Sequence, residues 1–271
     1  MTLAAIILFT LAAGIGSVWI AALLMRLGVN SRTGVGPQHL LSLAAGALLS
    51  TAFLHLLPEA FESQADAHQL FSVLLAGLVF FFLLDKAELW HHGHEHHHAP
   101  AADVHHHGHG HAHEHAHAHS PRTGAWAVLT GDSVHCFGDG ILIASAFMAD
   151  IRLGMVSALA VLAHEIPHHM GDLVVLGQNR TGRNAALIKV SLAGSVTALG
   201  GLVGYFLVAQ LQDWLPFFLV VASSSFIYVA LADLIPQLQR KLSTRETMAQ
   251  IAWLLFGIGA VVLVSGWAHS H

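Results

Sequence analysis

Charged residues are scarce in this chain. Only 10% of its 271 residues are Asp, Glu, Lys or Arg, and 55% are hydrophobic, whereas an ordinary soluble domain carries about 25% charged residues. This composition argues against a soluble globule and favours a membrane protein. The 11 basic residues form no concentrated patch and the formal net charge is −5, so nucleic-acid binding is not expected. The single cysteine, Cys136, excludes an intrachain disulfide framework.

Long apolar stretches account for most of the chain. A membrane-spanning helix needs about 20 predominantly apolar residues, and a helix satisfies its own backbone hydrogen bonds within lipid. We therefore predict an all-α membrane protein with eight transmembrane helices. The predicted spans are residues 3–25, 38–58, 68–90, 125–149, 153–177, 184–209, 214–236 and 248–268.

The basic residues predict the orientation of these spans. Lys and Arg favour cytoplasmic loops, and ten of the 11 lie after odd-numbered spans, with Arg152 as the exception. Both termini are therefore expected outside the cytoplasm. The predicted organisation is helices 1–3 in residues 1–90, a cytoplasmic loop in residues 91–123, and helices 4–8 in residues 124–271.

Histidine is abundant, and most of it lies in the predicted loop. Fifteen of the 24 histidines fall between His91 and His119, where no substantial apolar run occurs. We predict that this loop is disordered, since it cannot bury enough surface to offset the entropy of ordering. It could receive or sense metal ions transiently, or it could only buffer them. Its candidate ligands are His91, His92, His94, His105, His106, His107, His109 and His111.

Two pairs of polar residues interrupt spans 4 and 5. His135 and Asp139 are four residues apart, as are His164 and His168, so each pair lies on one helix face. Ionisable groups at mid-bilayer cost about 2.5–3.5 kcal/mol on insertion scales and usually face a partner, a cavity or a metal. Two such faces would offer three imidazoles and a carboxylate, a set suited to Zn²⁺ or another divalent first-row ion. The alternative role, as polar contacts between helices, fits a single residue better than two spaced pairs.

The segment His164-Glu165-Ile166-Pro167-His168 also matches the H-E-x-x-H pattern of zinc metalloproteases. In that interpretation Glu165 activates a zinc-bound water and Asp139 supplies the third ligand. Pro167 within the motif and the surplus His135 argue against it. A metal sensor that does not transport is a further alternative.

The motifs of spans 4 and 5 resemble those of the ZIP (Zrt/Irt-like) family of divalent metal transporters. Residues 135–140, His-Cys-Phe-Gly-Asp-Gly, resemble the family pattern H-N-x-x-D-G, and residues 164–172 resemble H-E-I-P-H-E-x-G-D. The resemblance implies eight spans, outside termini and a histidine-rich cytoplasmic loop. It also implies a transporter rather than an enzyme, which moves Zn²⁺ into the cytoplasm, with Fe²⁺, Mn²⁺ and Cd²⁺ as further candidate substrates and no organic cofactor.

The resemblance implies a metal site formed by His135, Asp139, His164 and His168. Some family members hold a second ion next to it, with four ligands that include a carboxylate on span 6. The other three positions are Cys136, Glu165 and the bridging His168 in this chain. Thr197 stands where that carboxylate is expected, which argues against a two-metal centre. Cys136 in place of asparagine favours Zn²⁺ if the thiol is a ligand, but it could also be a small apolar filler. His169 replaces a glutamate, and its role is open.

Further polar residues are candidates for the transport path. Asp172, one turn beyond His168, is a candidate exit ligand. His55 and Glu59, near the outer end of span 2, could belong to an acidic vestibule that concentrates cations, or to an ordinary solvated helix end. Divalent ions and the lipid bilayer are the expected partners, and a homodimer stays open. The compact length favours a bacterial inner membrane over a eukaryotic one.

Overall fold

The computed structural model describes residues 2–29, 35–93, 122–177, 182–238 and 243–269. These residues are nearly all helical, and no strand occurs among them, which confirms the predicted fold class. Eight long helices lie within the described ranges, close to the predicted positions. They are α1 (Thr2–Leu11 and Ser17–Arg26), α2 (Val35–Thr51 and Leu57–Phe61), α3 (Ala67–Gly93), α4 (Arg122–Ala149), α5 (Ile151–Gly177), α6 (Gly182–Gln210), α7 (Leu215–Tyr228 and Ile235–Leu238) and α8 (Thr244–His269).

Three of these helices contain a wider, π-helical turn. The turns are Ala12–Gly16 in α1, Ala52–Leu56 in α2 and Val229–Leu234 in α7. In α2 and α7 a proline lies two residues after the end of this turn, at Pro58 and Pro236. A proline ring clashes with the carbonyl four residues earlier, and a π-helical turn accommodates such a break in the hydrogen-bond ladder.

Six of the eight long helices in the described residues are long and apolar enough to cross a membrane. They are α1, α2, α3, α6, α7 and α8. The other two, α4 and α5, contain the candidate metal ligands predicted from the sequence, which are His135 and Asp139 on α4 and His164 and His168 on α5. Their crossing of the membrane stays a prediction from the sequence.

The helices differ in how much of their surface they bury. On α5, buried residues occur along the whole length, from Leu153 to Leu176. In contrast, α3 and α8 expose large apolar side chains such as Leu75 and Leu263. Since such surfaces are rarely left open to water, we assign them to the lipid-facing perimeter. The central helix α5 is thereby placed away from lipid.

Glycines bring several helix backbones into direct contact. A Cβ built on Gly140 of α4 would overlap the carbonyl oxygen of Thr197 on α6, and one built on Gly200 would overlap that of Phe137. Small residues allow such close approach between helices in membranes. Thr197, which stands at the expected carboxylate position of span 6, is therefore buried against α4.

The predicted histidine loop lies mostly outside the described residues. The backbone of α3 continues through Gly93 and α4 is described from Arg122, so the structure describes only the two ends of the predicted 91–123 segment, and both lie in helices. His91 and His92 lie on the last turn of α3, and the other candidate loop ligands lie outside the described residues.

Candidate metal centre

Helices α4 and α5 form an antiparallel pair joined at Asp150. The Asp150 carboxylate accepts hydrogen bonds from the backbone N–H groups of Arg152 at 2.8 Å and Leu153 at 3.3 Å, which caps the start of α5. The two helices run in opposite directions away from this turn. A residue farther before the turn on α4 therefore lies beside a residue farther after the turn on α5. Asp139 is accordingly level with His164.

The first ligand group consists of His135 and Asp139 from α4 and His164 and Glu165 from α5. Their ligand atoms all lie within 4.8 Å of one another. The Nε2 atoms of His135 and His164 are 3.3 Å apart. Glu165 Oε1 lies 3.3 Å from the first of these nitrogens and 3.2 Å from the second. Asp139 Oδ2 completes the group at 3.3 Å from His164 Nε2 and 3.8 Å from His135 Nε2.

The second ligand group consists of Asp132, Cys136, Glu165 and His169, and all four residues are buried. Glu165 contributes its other oxygen here: Oε2 is 3.0 Å from His169 Nε2 and 3.8 Å from the Cys136 sulfur. Asp132 Oδ1 is 3.5 Å from His169 Nε2 and 3.7 Å from the same sulfur. Glu165 thus belongs to both groups, with one oxygen toward each.

The third ligand group consists of Asp132, His168 and Asp172. His168 Nδ1 lies 3.7 Å from Asp132 Oδ1 and 3.5 Å from Asp172 Oδ2. The His168 side chain is 39% exposed, whereas that of Asp132 is 1% exposed. The structure therefore groups His168 with these two carboxylates rather than with His135, Asp139 and His164, although its ring stacks on that of His135 at 5.5 Å between centroids.

Backbone and hydroxyl contacts orient two of the histidine rings. His164 Nδ1 lies 3.3 Å from the carbonyl oxygen of Ala160. A carbonyl can only accept, so Nδ1 carries the proton and Nε2 keeps its lone pair for the first ligand group. His169 Nδ1 lies 2.9 Å from the hydroxyl oxygen of Ser17 on α1. Such contacts from the second coordination layer are how proteins orient metal-binding histidines.

A cavity of about 450 Å³ runs alongside α4 and α5. Its walls include every member of the first and third ligand groups except Glu165, together with residues of α2, α3 and α7. Cys136 and His169 of the second ligand group are absent from its lining. The first and third groups are therefore reachable from the cavity, whereas Cys136, Glu165 and His169 lie behind its wall.

Several buried polar atoms at the groups have no hydrogen-bond partner of good geometry. They include Asp139 Oδ2, Glu165 Oε1, Asp132 Oδ2, Asp172 Oδ2 and His169 Nε2. Leaving a buried polar atom unpaired costs about 1–3 kcal/mol, and more for a charged group. Carboxylate oxygens and imidazole nitrogens aimed at common points are the arrangement that a divalent cation stabilises.

The remaining candidates from the sequence lie elsewhere or join these groups. Asp172 and His169 each belong to a group, whereas His55 and Glu59 belong to none of the three groups found among the described residues. His55 Nδ1 lies 3.4 Å from the Ser50 carbonyl oxygen. Glu59 is exposed at the end of α2, within electrostatic reach of Glu62 and Asp150.

Asp132 is the site residue that the candidate set from the sequence omitted. It lies four residues before Cys136, so the two share a helix face, as Glu165 and His169 do. The same spacing rule that identified His135 and Asp139 would therefore have identified it.

Known proteins share this chain's sequence pattern. A family model described as ZIP Zinc transporter matches residues 1–265. Zinc transporter ZIP13 of Pongo abelii is 27% identical over 263 residues, covering 89% of this chain and 71% of that protein. Zinc transporter foi of Drosophila melanogaster is 35% identical and zinc transporter ZIP4 of Homo sapiens 34% identical, each over 142 residues and 52% of this chain. The chain covers only 20% and 21% of the length of these last two relatives.

Proposed function

The chain belongs to the ZIP zinc transporter family, a multi-pass membrane family, and on that premise we propose that it carries Zn²⁺ into the cytoplasm between α4 and α5. The observation that carries this proposal is the first ligand group. Two imidazoles and two carboxylates from facing helices direct their ligand atoms at one point, beside a cavity large enough for a hydrated ion to approach.

The distances within this group match the size of a zinc ion. Zinc bonds to nitrogen and oxygen measure about 2.0–2.2 Å, so neighbouring ligand atoms of a tetrahedral site lie about 3.3–3.6 Å apart. The distances from His164 Nε2 to His135 Nε2, Asp139 Oδ2 and Glu165 Oε1 are 3.3, 3.3 and 3.2 Å. The group therefore needs little rearrangement to hold Zn²⁺.

The third ligand group extends the path toward the predicted cytoplasmic side. His164, His168 and Asp172 follow one another at intervals of four residues on one face of α5, and a helix rises 1.5 Å per residue. An ion that leaves the first group would thus find new ligands within about 6 Å along the helix. A series of sites of moderate affinity allows entry and release, as conduction requires.

Acidic residues support entry from the opposite side. Glu59 at the end of α2 lies within electrostatic reach of Glu62 and of Asp150 in the α4–α5 turn. All three fall on the side that the distribution of Lys and Arg predicts to be outside. Negative charge at a cavity entrance raises the local concentration of cations.

The donor atoms support zinc as the preferred ion. Imidazole suits zinc and other transition metals, whereas carboxylate suits harder ions such as Mg²⁺, Ca²⁺ and Mn²⁺, so the two imidazoles of the first ligand group favour a transition metal. Fe²⁺, Mn²⁺ and Cd²⁺ belong to the proposal as secondary substrates. Residence in a bacterial plasma membrane stays a prediction from the sequence.

The geometry disfavours the protease alternative. A metalloprotease of the H-E-x-x-H type holds one zinc with both histidines of the motif and leaves the glutamate free to act as base. Here His164 and His168 belong to different ligand groups. Glu165 is 1% exposed and directs both oxygens at ligand atoms, so it is placed as a ligand rather than as a base beside water.

Metal uptake into proteoliposomes tests the proposal. Purified wild-type protein should drive Zn²⁺ accumulation that the double variant H135A and H168A loses, because each substitution removes a ligand from one group on the path. His68→Ala, which removes an exposed histidine outside the groups, serves as the matched control and should retain uptake. Equal uptake by wild type and the double variant would contradict the proposal.

A further inference from the structure

Two members of the second ligand group, Cys136 and His169, have no place in the path proposed above, because they do not line the cavity. We propose that Asp132, Cys136, Glu165 and His169 hold a second, resident divalent cation behind the path. The inference rests on the proposed function only in that Glu165 is shared with the first ligand group and Asp132 with the third.

The distances in this group match a tetrahedral site with one sulfur ligand. Bonds of about 2.1 Å to nitrogen or oxygen and 2.3 Å to sulfur place neighbouring ligand atoms about 3.4–3.6 Å apart. The four distances between nearest ligand atoms are 3.0, 3.5, 3.7 and 3.8 Å, and the two longest involve the sulfur. All four residues are buried.

A chain of hydrogen bonds from α1 aims His169 into the group. The Ser17 hydroxyl donates to the carbonyl oxygen of Gly14 at 2.8 Å, so its oxygen is an acceptor for His169 Nδ1–H at 2.9 Å. In the neutral ring, which is the form that binds a metal, the lone pair of His169 therefore lies on Nε2, which faces Glu165 Oε2 and Asp132 Oδ1. Three atoms with lone pairs that face one another repel, and a cation between them removes that repulsion.

The buried imidazole is the independent sign of a ligand here. The His169 side chain is completely buried, and its Nε2 has no hydrogen-bond partner of good geometry. Asp132 Oδ2, in a side chain 1% exposed, likewise has none. Burying such groups without a partner is costly, and the two residues come from different helices but are aimed at the same point.

The donor set identifies the class of ion. A thiol and an imidazole are ligands of zinc and of softer ions such as Cd²⁺, while Mg²⁺ and Ca²⁺ take oxygen ligands. The thiol loses its proton to solvent as the ion binds. Only Asp132 of the four ligands lines the cavity, and an ion enclosed by the other three buried side chains exchanges slowly, so it is resident rather than cargo.

This ligand set differs from the second site that the family resemblance implies. That site would use His168 and a carboxylate on the sixth span. Here His168 turns to Asp132 and Asp172, and Thr197 is packed against α4 and α1. In the proposed site Asp132 and His169 take the places of His168 and the carboxylate on the sixth span.

The single cysteine makes the resident site directly observable. Cd²⁺ bound to a thiolate absorbs in the ultraviolet by charge transfer from sulfur, and Cys136 is the only cysteine in the chain. Titrating purified, metal-stripped wild-type protein with Cd²⁺ should produce this band, and its final amplitude should correspond to one Cd²⁺–thiolate bond per chain. Ions held by the histidine loop or by the first ligand group contribute nothing to it, because they have no sulfur ligand.

Variants then test the ligand set. Cys136→Ser should abolish the band, and His169→Gln and Asp132→Asn should each weaken Cd²⁺ binding at Cys136 at least about tenfold, as loss of supporting groups does at other metal sites. Ser133→Ala should retain it, because the Ser133 hydroxyl donates to the Leu129 carbonyl oxygen at 2.7 Å and belongs to none of the three ligand groups. Thermal melting in detergent identifies any variant that fails to fold.

Two results would overturn the inference: no thiolate band in folded wild-type protein, or an unchanged band in folded His169→Gln. Zinc uptake measured on the same preparation separates the two proposals. Uptake without the band contradicts the resident site alone, and the band without uptake contradicts the transport function alone.

Discussion

The Nε2 atoms of His135 and His164 lie 3.3 Å apart although they belong to different helices. The Ala160 carbonyl occupies the other ring nitrogen of His164, so Nε2 of that ring carries a lone pair. His135 on the facing helix α4 provides a second nitrogen ligand for a zinc ion. The α4–α5 contact therefore assembles a ligand pair that neither helix contains alone.

Replacing His164 by alanine should raise the KM for Zn²⁺ uptake at least about tenfold. The substitution removes the ligand that contacts all three other members of the first group. Uptake kinetics in proteoliposomes measure the change, and His68→Ala, at an exposed position, is the control. An unchanged KM would show that the first group is not the binding site for transported zinc.

Glu165→Gln should impair both sites at once. The two carboxylate oxygens face different ligand groups, and an amide can present an oxygen to only one of them while its NH₂ repels the other ion. We expect a higher KM for zinc uptake and a weaker Cd²⁺–thiolate band in the same protein. A variant that loses only one of the two signals would show that Glu165 serves a single site.

The sequence predicts which residues form the site because residues four positions apart lie on the same face of one helix. His135 with Asp139 and His164 with His168 were identified from their separation of four residues. This rule does not state which face of α4 meets which face of α5, since that depends on the crossing of the two helices. The expected four-ligand site thus shared three residues with the first group, while His168 lies with Asp132 and Asp172.

The helices themselves were more predictable than their contacts. Apolar runs long enough to span lipid identify six helices in the described residues directly. The approach of α4 to α6 depends on Gly140 and Gly200, and a glycine in a sequence does not reveal which backbone will pack against it. The contact from Ser17 to His169 spans 152 positions of sequence, and no local pattern predicts it.

Ser17→Ala should weaken Cd²⁺ binding at Cys136 by about 10–100-fold, the usual cost of losing an orienting group behind a metal-binding histidine. The hydroxyl holds His169 with Nε2 toward the second ligand group. Ser17→Thr keeps a hydroxyl and should restore binding, which a merely structural role would not require. Equal Cd²⁺ affinities for the alanine variant and wild type would remove Ser17 from this role.

Replacing the histidines between residues 94 and 119 by glutamine should leave basal zinc uptake largely intact. The substitutions preserve loop length while removing the imidazoles, and the three ligand groups lie in α4 and α5. Initial rates at saturating Zn²⁺ measure the effect. Abolished transport would show that the loop is part of the transport machinery rather than an accessory.

Gly140→Ala should destabilise the protein, whereas Gly138→Ala should not. A Cβ at position 140 overlaps the backbone of α6, while one at position 138 meets no atom within 4 Å. Overpacking costs about 1–3 kcal/mol, and an unopposed glycine-to-alanine change in a helix gains about 0.5–1 kcal/mol. Thermal melting in detergent compares the two variants. Because both lie on α4 within two residues of Asp139, equal losses would show that the α4–α6 contact is not the cause.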